Sequence, residues 1–154
     1  MQQRRGFTLV EILIVVVILG ILAAVVVPQF ASASQQASAA SFAKSCKSMA
    51  DAIDWYRART GLYPPDGGSG SLPDELEEYI NRGEYEGGGL LGGVWDIEQN
   101  DSGVTLAVGI HFQDGSWPGD EFMLDIDVQI DDGAFDTGQF RRLADDRYYY
   151  VMID

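Results

Sequence analysis

Glu11 is the first residue of this chain whose type and position suggest chemistry. It stands at the head of an apolar run, Ile12 to Val27, which holds no charged residue and one glycine, Gly20. A carboxylate placed in lipid costs on the order of 3 kcal/mol, so an acid here is expected to have a task. The second candidate is an acid-rich stretch near the end of the chain. Asp131, Asp132 and Asp136, with Asp145 and Asp146 at its far end, surround Gly133 and Gly138 and offer many oxygens. Calcium takes six to eight oxygen ligands in a flexible geometry, which suits such a loop. The spacing is not that of an EF-hand, because Ile130 falls where the invariant glycine would stand if counting began at Asp125. Arg141, Arg142 and Arg147 could neutralise the aspartates directly, so a calcium loop and a salt-bridged turn both stay open.

Other constellations carry less. His111, the single histidine, lies near Ser116 in sequence, but nothing resembles a nucleophile elbow, so a hydrolase is not expected. One cysteine, Cys46, and one histidine exclude a Cys/His zinc site within the chain and any intrachain disulfide. The run Gly87-Gly88-Gly89 is not followed by Lys-Ser or Lys-Thr and sits among acids, so it is not a phosphate cradle.

These residues need elements to position them. Counted from Phe7, the apolar segment is long enough to cross a bilayer as a helix, which takes roughly 20 residues. Pro28 removes a helical N–H, so residues 20–28, with Gly20, form the weakest part of that helix. From Gln29 to Thr60 the composition turns to alanine, serine and glutamine. Phe42, Cys46, Met49, Ile53 and Tyr56 recur there in steps of four and three, the stripe of an amphipathic helix carrying a head. A helix from Phe7 to about Arg59 would be roughly 80 Å long, ended by Gly61 and Pro64-Pro65.

Residues 61–93 read as a loop region with a short helix over Leu72–Ile80, opened by Pro73. Val104–Phe112 and Phe122–Ile130 alternate strictly between apolar and polar or small residues, which predicts two half-buried strands. A third strand is expected over Tyr148–Ile153, with Asp125 and Asp127 on the wet face of an antiparallel sheet. The net charge is −14, from 24 acids against 10 bases. Nucleic acid as a partner would need a basic stripe, so none is expected. Arg4 and Arg5 hold the N-terminus in the cytoplasm, leaving the C-terminal part outside it.

Gly6-Phe7-Thr8-Leu9-Val10-Glu11 with an apolar helix behind it resembles the processing motif of type IV pilins and type II secretion pseudopilins. Gly61-Leu62-Tyr63-Pro64 is similar to the secretion pseudopilins, and Gly92-Gly93-Val94-Trp95-Asp96 to small pilin-like heads. The resemblance implies a leader, residues 1–6, cut between Gly6 and Phe7 by a prepilin peptidase that also methylates the new Phe7 amine. It implies that Glu11 matches the family's acid and pairs with a neighbouring subunit's amine, and that the segment around Pro28 can kink or unwind on assembly. The bland alternatives are a Glu11 favoured by the helix dipole and its own Phe7 amine, and a gentle kink at Pro28.

Further implications are a bacterial inner-membrane subunit with an external head, an assembly platform, and a filament made of copies and related pilins. The family's pseudopilins hold calcium in the corresponding C-terminal loop, which points to Asp131, Asp132, Asp136 and Asp145; no cofactor is otherwise required. Many type IV pilins staple that loop with a disulfide, and a single cysteine leans towards the pseudopilins. The expected fold is α+β: a long N-terminal α-helix, 7–28 transmembrane and 29–60 amphipathic, with a head over 61–154 built on a small antiparallel sheet. An anchored binding module that never polymerises is the rival, and it would need neither Gly6 cleavage nor Glu11.

Overall fold

The computed structural model describes residues 7–89, 91–115 and 117–154. Gly6 and the leader, Ser116 and Leu90 lie outside the described residues. Helix α1 is Leu9–Thr60, followed by a 3₁₀ turn at Asp74–Leu76 and a short helix α2, Arg82–Glu86. Strands β1 (Val94–Asp101) and β2 (Val104–His111) form a hairpin. Helix α3, Asp120–Ile130, precedes strands β3 (Phe140–Ala144) and β4 (Arg147–Ile153). All neighbours in the sheet are antiparallel, in the order β1-β2-β4-β3. The fold is α+β, a long N-terminal helix packed on a small antiparallel sheet.

The chain forms two compact units that divide after Gln36. In the first, every large apolar residue from Leu9 to Val27 is exposed. None of this apolar stretch is buried, and the helix is long and apolar enough to cross a membrane. Helical structure continues through Pro28.

In the second unit, the predicted stripe of α1 is the core. Phe42, Cys46, Met49, Ile53 and Tyr56 are all buried, against Trp95, Ile97, Leu106, Val108, Ile110, Phe140 and Tyr148 of the sheet. Phe42 stacks on Trp95 with ring centroids 5.6 Å apart and meets Phe140 edge-on at 6.5 Å. The Leu72–Ile80 segment contributes Leu72, Leu76 and Ile80 to the same core. Its backbone is a 3₁₀ turn rather than the expected helix, and α2 follows with Asn81 as N-cap.

The strand expected over Phe122–Ile130 is instead α3. The period-two reading competed with a helical one, since Met123, Ile126 and Asp127 also recur at three and four and are the buried residues. Asp120 and Glu121 occupy the first turn, where the helix dipole favours acids. The place beside β2 belongs to β4, whose Tyr148, Tyr149 and Tyr150 pair with Ile110, Gly109 and Val108. Asp127 is therefore buried rather than on a wet sheet face. α3 is tied to the sheet by Asp120, which accepts from the Tyr148 hydroxyl at 2.9 Å and pairs with Arg142 at 3.2 Å.

One strand, β1, falls in a stretch for which no element was expected, and another, β3, in the stretch expected to be a loop. β1 alternates Trp95 and Ile97 towards α1 with Asp96 and Glu98 on the other face, and all four are buried. Its hairpin closes through Ser102 and Gly103, at φ 53 and 85, the two positive angles of a two-residue turn that follows strand twist. β3 lies inside the acidic stretch and shortens the loop expected there. Gly109 lets β4 approach: a Cβ there would stand 2.1 Å from the Tyr148 carbonyl oxygen and 2.8 Å from Tyr149 Cγ. Phe42→Ala empties the centre of this core and is expected to cost about 3–5 kcal/mol, read from denaturant unfolding of the detergent-solubilised chain.

Candidate functional site

Three places in the structure gather functional side chains. At the start of α1, Thr8 and Glu11 form a reciprocal cap. The Glu11 backbone N–H donates to Thr8 Oγ1 at 3.3 Å, while Glu11 Oε2 accepts from the Thr8 N–H and hydroxyl, both at 2.8 Å. This is the Thr-x-x-Glu capping box, which satisfies helix N–H groups that would otherwise lack partners. The Glu11 carboxylate is thus partnered by its own chain. Phe7 is exposed, as is the apolar run beyond.

The second place is the turn after α3. Asp127, Asp131 and Asp132 bring carboxylate oxygens within 4.8 Å of one another. Asp131 and Asp132 belong to the set named from sequence; Asp127 joins them, whereas Asp136 and Asp145 are outside this cluster among the described residues. Asp145 sits at the β3–β4 connection, between paired Ala144 and Arg147. The direct arginine neutralisation is also absent at the cluster: Arg141 pairs with Asp154, Arg142 with Asp120 and Arg147 with Glu98.

Backbone donors organise the turn instead. Asp131 accepts from the N–H of Asp132 at 2.7 Å and Phe140 at 3.2 Å, and also from that of Gln139. Asp132 accepts from the Ala134 N–H at 3.0 Å and the Thr137 hydroxyl at 2.7 Å. Gly138, at φ 72, is required here, because a Cβ would come within 2.2 Å of Asp131 Oδ2.

Asp127 is the exception. Its side chain is fully buried; Oδ1 accepts from the Gly133 N–H at 3.1 Å, and Oδ2 has no donor. Burial, then the neighbouring Asp131, pushes the Asp127 carboxyl up to about 7. Burial also works against ionisation of Asp131, but the proton on Asp127 and the three backbone donors outweigh it and hold Asp131 below the usual carboxylate range. Two partners satisfy Asp127 Oδ2: a proton shared with Asp131, or a cation. A hard divalent cation such as calcium fits this donor set, three carboxylates around one orphaned buried oxygen.

The third place was not legible as a site. On the sheet face away from α1, Asp96 and Glu98 are both buried, and Tyr149 crosses Gly109 to donate to Asp96 at 2.6 Å. Arg147 pairs with Glu98 and stands 3.8 Å from Asp96. Burial first, then Asp96, raises the Glu98 carboxyl. Ser69 donates to Asp96 at 2.8 Å and lies 2.8 Å from His111 Nδ1, while His111 Nε2 is 3.3 Å from Asp146. The serine proton is committed to a carboxylate, so the ring nitrogen faces it as a donor and Ser69 is not an activated nucleophile. The network joins the loop at residues 66–71 to β1, β2 and β4, a structural task. Cys46 is buried in the α1 core, and burial raises its thiol, which leaves it unreactive.

Comparison with known proteins bears on the first place. Residues 1–27 match the prokaryotic N-terminal methylation motif. The chain is 49% identical over 63 residues to type II secretion system core protein G of Pseudomonas aeruginosa, covering 41% of this chain and 44% of that protein. It is 39% identical over 64 residues to the protein of the same name from Klebsiella pneumoniae, covering 42% and 46%. The Vibrio cholerae protein of that name is 38% identical over 64 residues, covering 42% and 44%. The chain thus spans less than half the length of these relatives. No solved structure matches it.

The Asp127 account predicts a pH dependence of known sign. Its carboxyl binds a proton more tightly in the folded chain than in the unfolded one, where it titrates near ~4. Stability from that proton is complete below ~4 and is lost as pH rises through about 7. In chelator at pH 8, Asp127→Asn should therefore melt above wild type by at least about 3 °C, and near pH 4 the two should converge. Calcium at pH 8 should raise the wild-type midpoint and leave Asp127→Asn unmoved, followed by near-ultraviolet circular dichroism of the full chain in detergent.

Proposed function

We propose that this chain, which carries the N-terminal methylation motif and apolar helix of the pilin and pseudopilin family, is a structural subunit of a type II secretion pseudopilus or a related type IV filament. The observation that carries the reading is the first part of α1. Its apolar residues from Leu9 to Val27 have no cover from their own chain, yet they follow a processing motif that would leave them in the mature protein. In this reading a prepilin peptidase cuts between Gly6 and Phe7 and methylates the Phe7 amine. The subunit waits in the bacterial inner membrane as a single span with its head outside the cytoplasm, and an assembly platform extracts it. Copies and related pilins then pack through their apolar helices. Its work is structural rather than catalytic.

Glu11 has two partners in succession. In the membrane its carboxylate is held by Thr8 of its own cap, which lowers the cost of an acid in lipid. During assembly the methylated Phe7 amine of a neighbour adds an opposite charge and sets axial register. Pro28 is the position at which α1 can loosen when subunits pack, since its ring removes one helical hydrogen bond. The Asp127, Asp131 and Asp132 cluster takes calcium outside the cytoplasm, which secures the turn that no disulfide can staple.

The pseudopilus is favoured over a type IV pilus by the similarity to core protein G and by the lone buried cysteine. Intact mass of the membrane-extracted protein tests processing: the expected species has lost residues 1–6 and gained one methyl group. A chain that begins at Met1, or well inside the apolar run, contradicts it. Glu11→Val should remain processed and membrane-resident while crosslinked oligomers in the membrane fall sharply. Undiminished oligomers would leave Glu11 with its local cap as its sole role.

A further inference from the structure

The chain is strongly acidic, and every arginine among the described residues is already paired with a carboxylate of its own chain. Lys44 and Lys47 differ. Both are exposed on α1, one helical turn apart, and neither makes an ion pair among the described residues. Asp51, one turn beyond Lys47, and Glu84, across a groove from Lys44, do not close on them. The two lysines also line a second groove of about 320 Å³, with Ala40, Ala43, Ile130 and Tyr150. Two free cations fixed on one helix in a chain with net charge −14 form a docking surface for carboxylates.

The complementary surface is on the same molecule. Glu121 and Asp125 are exposed on α3, one turn apart, and neither is ion-paired. Their helix is held rigid by buried Met123 and Ile126 beneath and by the Asp120–Tyr148 hydrogen bond at its start. Among the described acids without an ion pair, these two present a pair of carboxylates one turn apart on the exposed face of a helix anchored to the core. Helical presentation on both sides lets two charge pairs form at once, with less side-chain ordering than loop carboxylates would need.

We propose that Lys44 and Lys47 of one copy receive Glu121 and Asp125 of a second copy, a heterologous contact that places each head against the next. The contact joins different patches on the two copies, so it propagates along an assembly rather than closing a dimer. It rests on the reading that the chain polymerises, and it adds the head-to-head specificity that an all-apolar helix cannot supply.

The test uses the full-length chain in cells that carry its own assembly machinery, with native gel electrophoresis of mildly solubilised membranes and immunoblotting, because Lys44 and Lys47 are the only lysines and an amine-reactive crosslinker would lose its targets with them. K44E/K47E and E121K/D125K should each lower the oligomer ladder about tenfold at unchanged protein level, as expected for two charge pairs. The fourfold variant that exchanges the charges should recover it. In a Cys46→Ser background, Lys47→Cys combined with Asp125→Cys should give an oxidative crosslink between copies that neither cysteine gives alone. A wild-type ladder that both reversals leave unchanged would overturn this surface while leaving polymerisation intact. No wild-type ladder at all would overturn the polymerisation reading and this contact with it.

Discussion

A helix that is apolar on every side has to be covered by something other than its own chain. Residues Leu9 to Val27 set that condition, and the chain's other features are arranged around it. In lipid the segment is satisfied by acyl chains, and its backbone polar groups by the helix itself. The weak points of such a segment are its unpaired N-terminal N–H groups and its one acid. Thr8 and Glu11 resolve both at once, because the same pair of residues supplies the cap and the partner for the carboxylate. Lipid gives no hydrophobic drive for helices to associate, so close packing and charge must hold copies together. Under the proposed processing, Glu11 and the Phe7 amine four residues earlier would provide that charge.

The second unit solves a different problem with the same helix. From Ala39 to Tyr56 a single stripe of α1 is buried, and four strands turn their aromatic and aliphatic side chains onto it. The far face of the sheet buries two carboxylates, Asp96 and Glu98, instead of facing water. They are tolerated because Arg147, Tyr149 and Ser69 converge on them. Gly109 is what allows Tyr149 to lie across β2 and reach Asp96. At the other end, the turn after α3 depends on one buried oxygen of Asp127, which demands a proton or a cation. That demand couples the order of the turn to the protonation of Asp127.

Much of this was legible in the sequence, for physical reasons. The apolar run is long enough to read as a helix able to cross a bilayer, and the Phe42–Tyr56 stripe keeps helical spacing over five contacts with the core. β2 and β4 are dense in β-branched and aromatic residues. The Phe122–Ile130 run was ambiguous, since its apolar residues fit period two as well as a helix, and only the tertiary place taken by β4 decides between them. That misreading moved Asp127 from the buried side to the wet side, and with it the centre of the acidic cluster. β1 was hidden because its second face carries acids, which read as exposed until Arg147 and Tyr149 are brought over them. β3 has two adjacent arginines in five residues, so no alternation marked it.

The central claim, that the first part of α1 is covered by other copies of this chain, is tested most directly by cysteine scanning from Ile12 to Val27 in a Cys46→Ser background. Oxidation is carried out in membranes of cells carrying the assembly machinery. The account predicts crosslinked multimers at a subset of positions spaced three and four apart, and their disappearance when Gly6 is replaced by a bulky charged residue. Monomer at every position, with the leader removed and the head folded, would contradict it and identify the helix as an anchor alone.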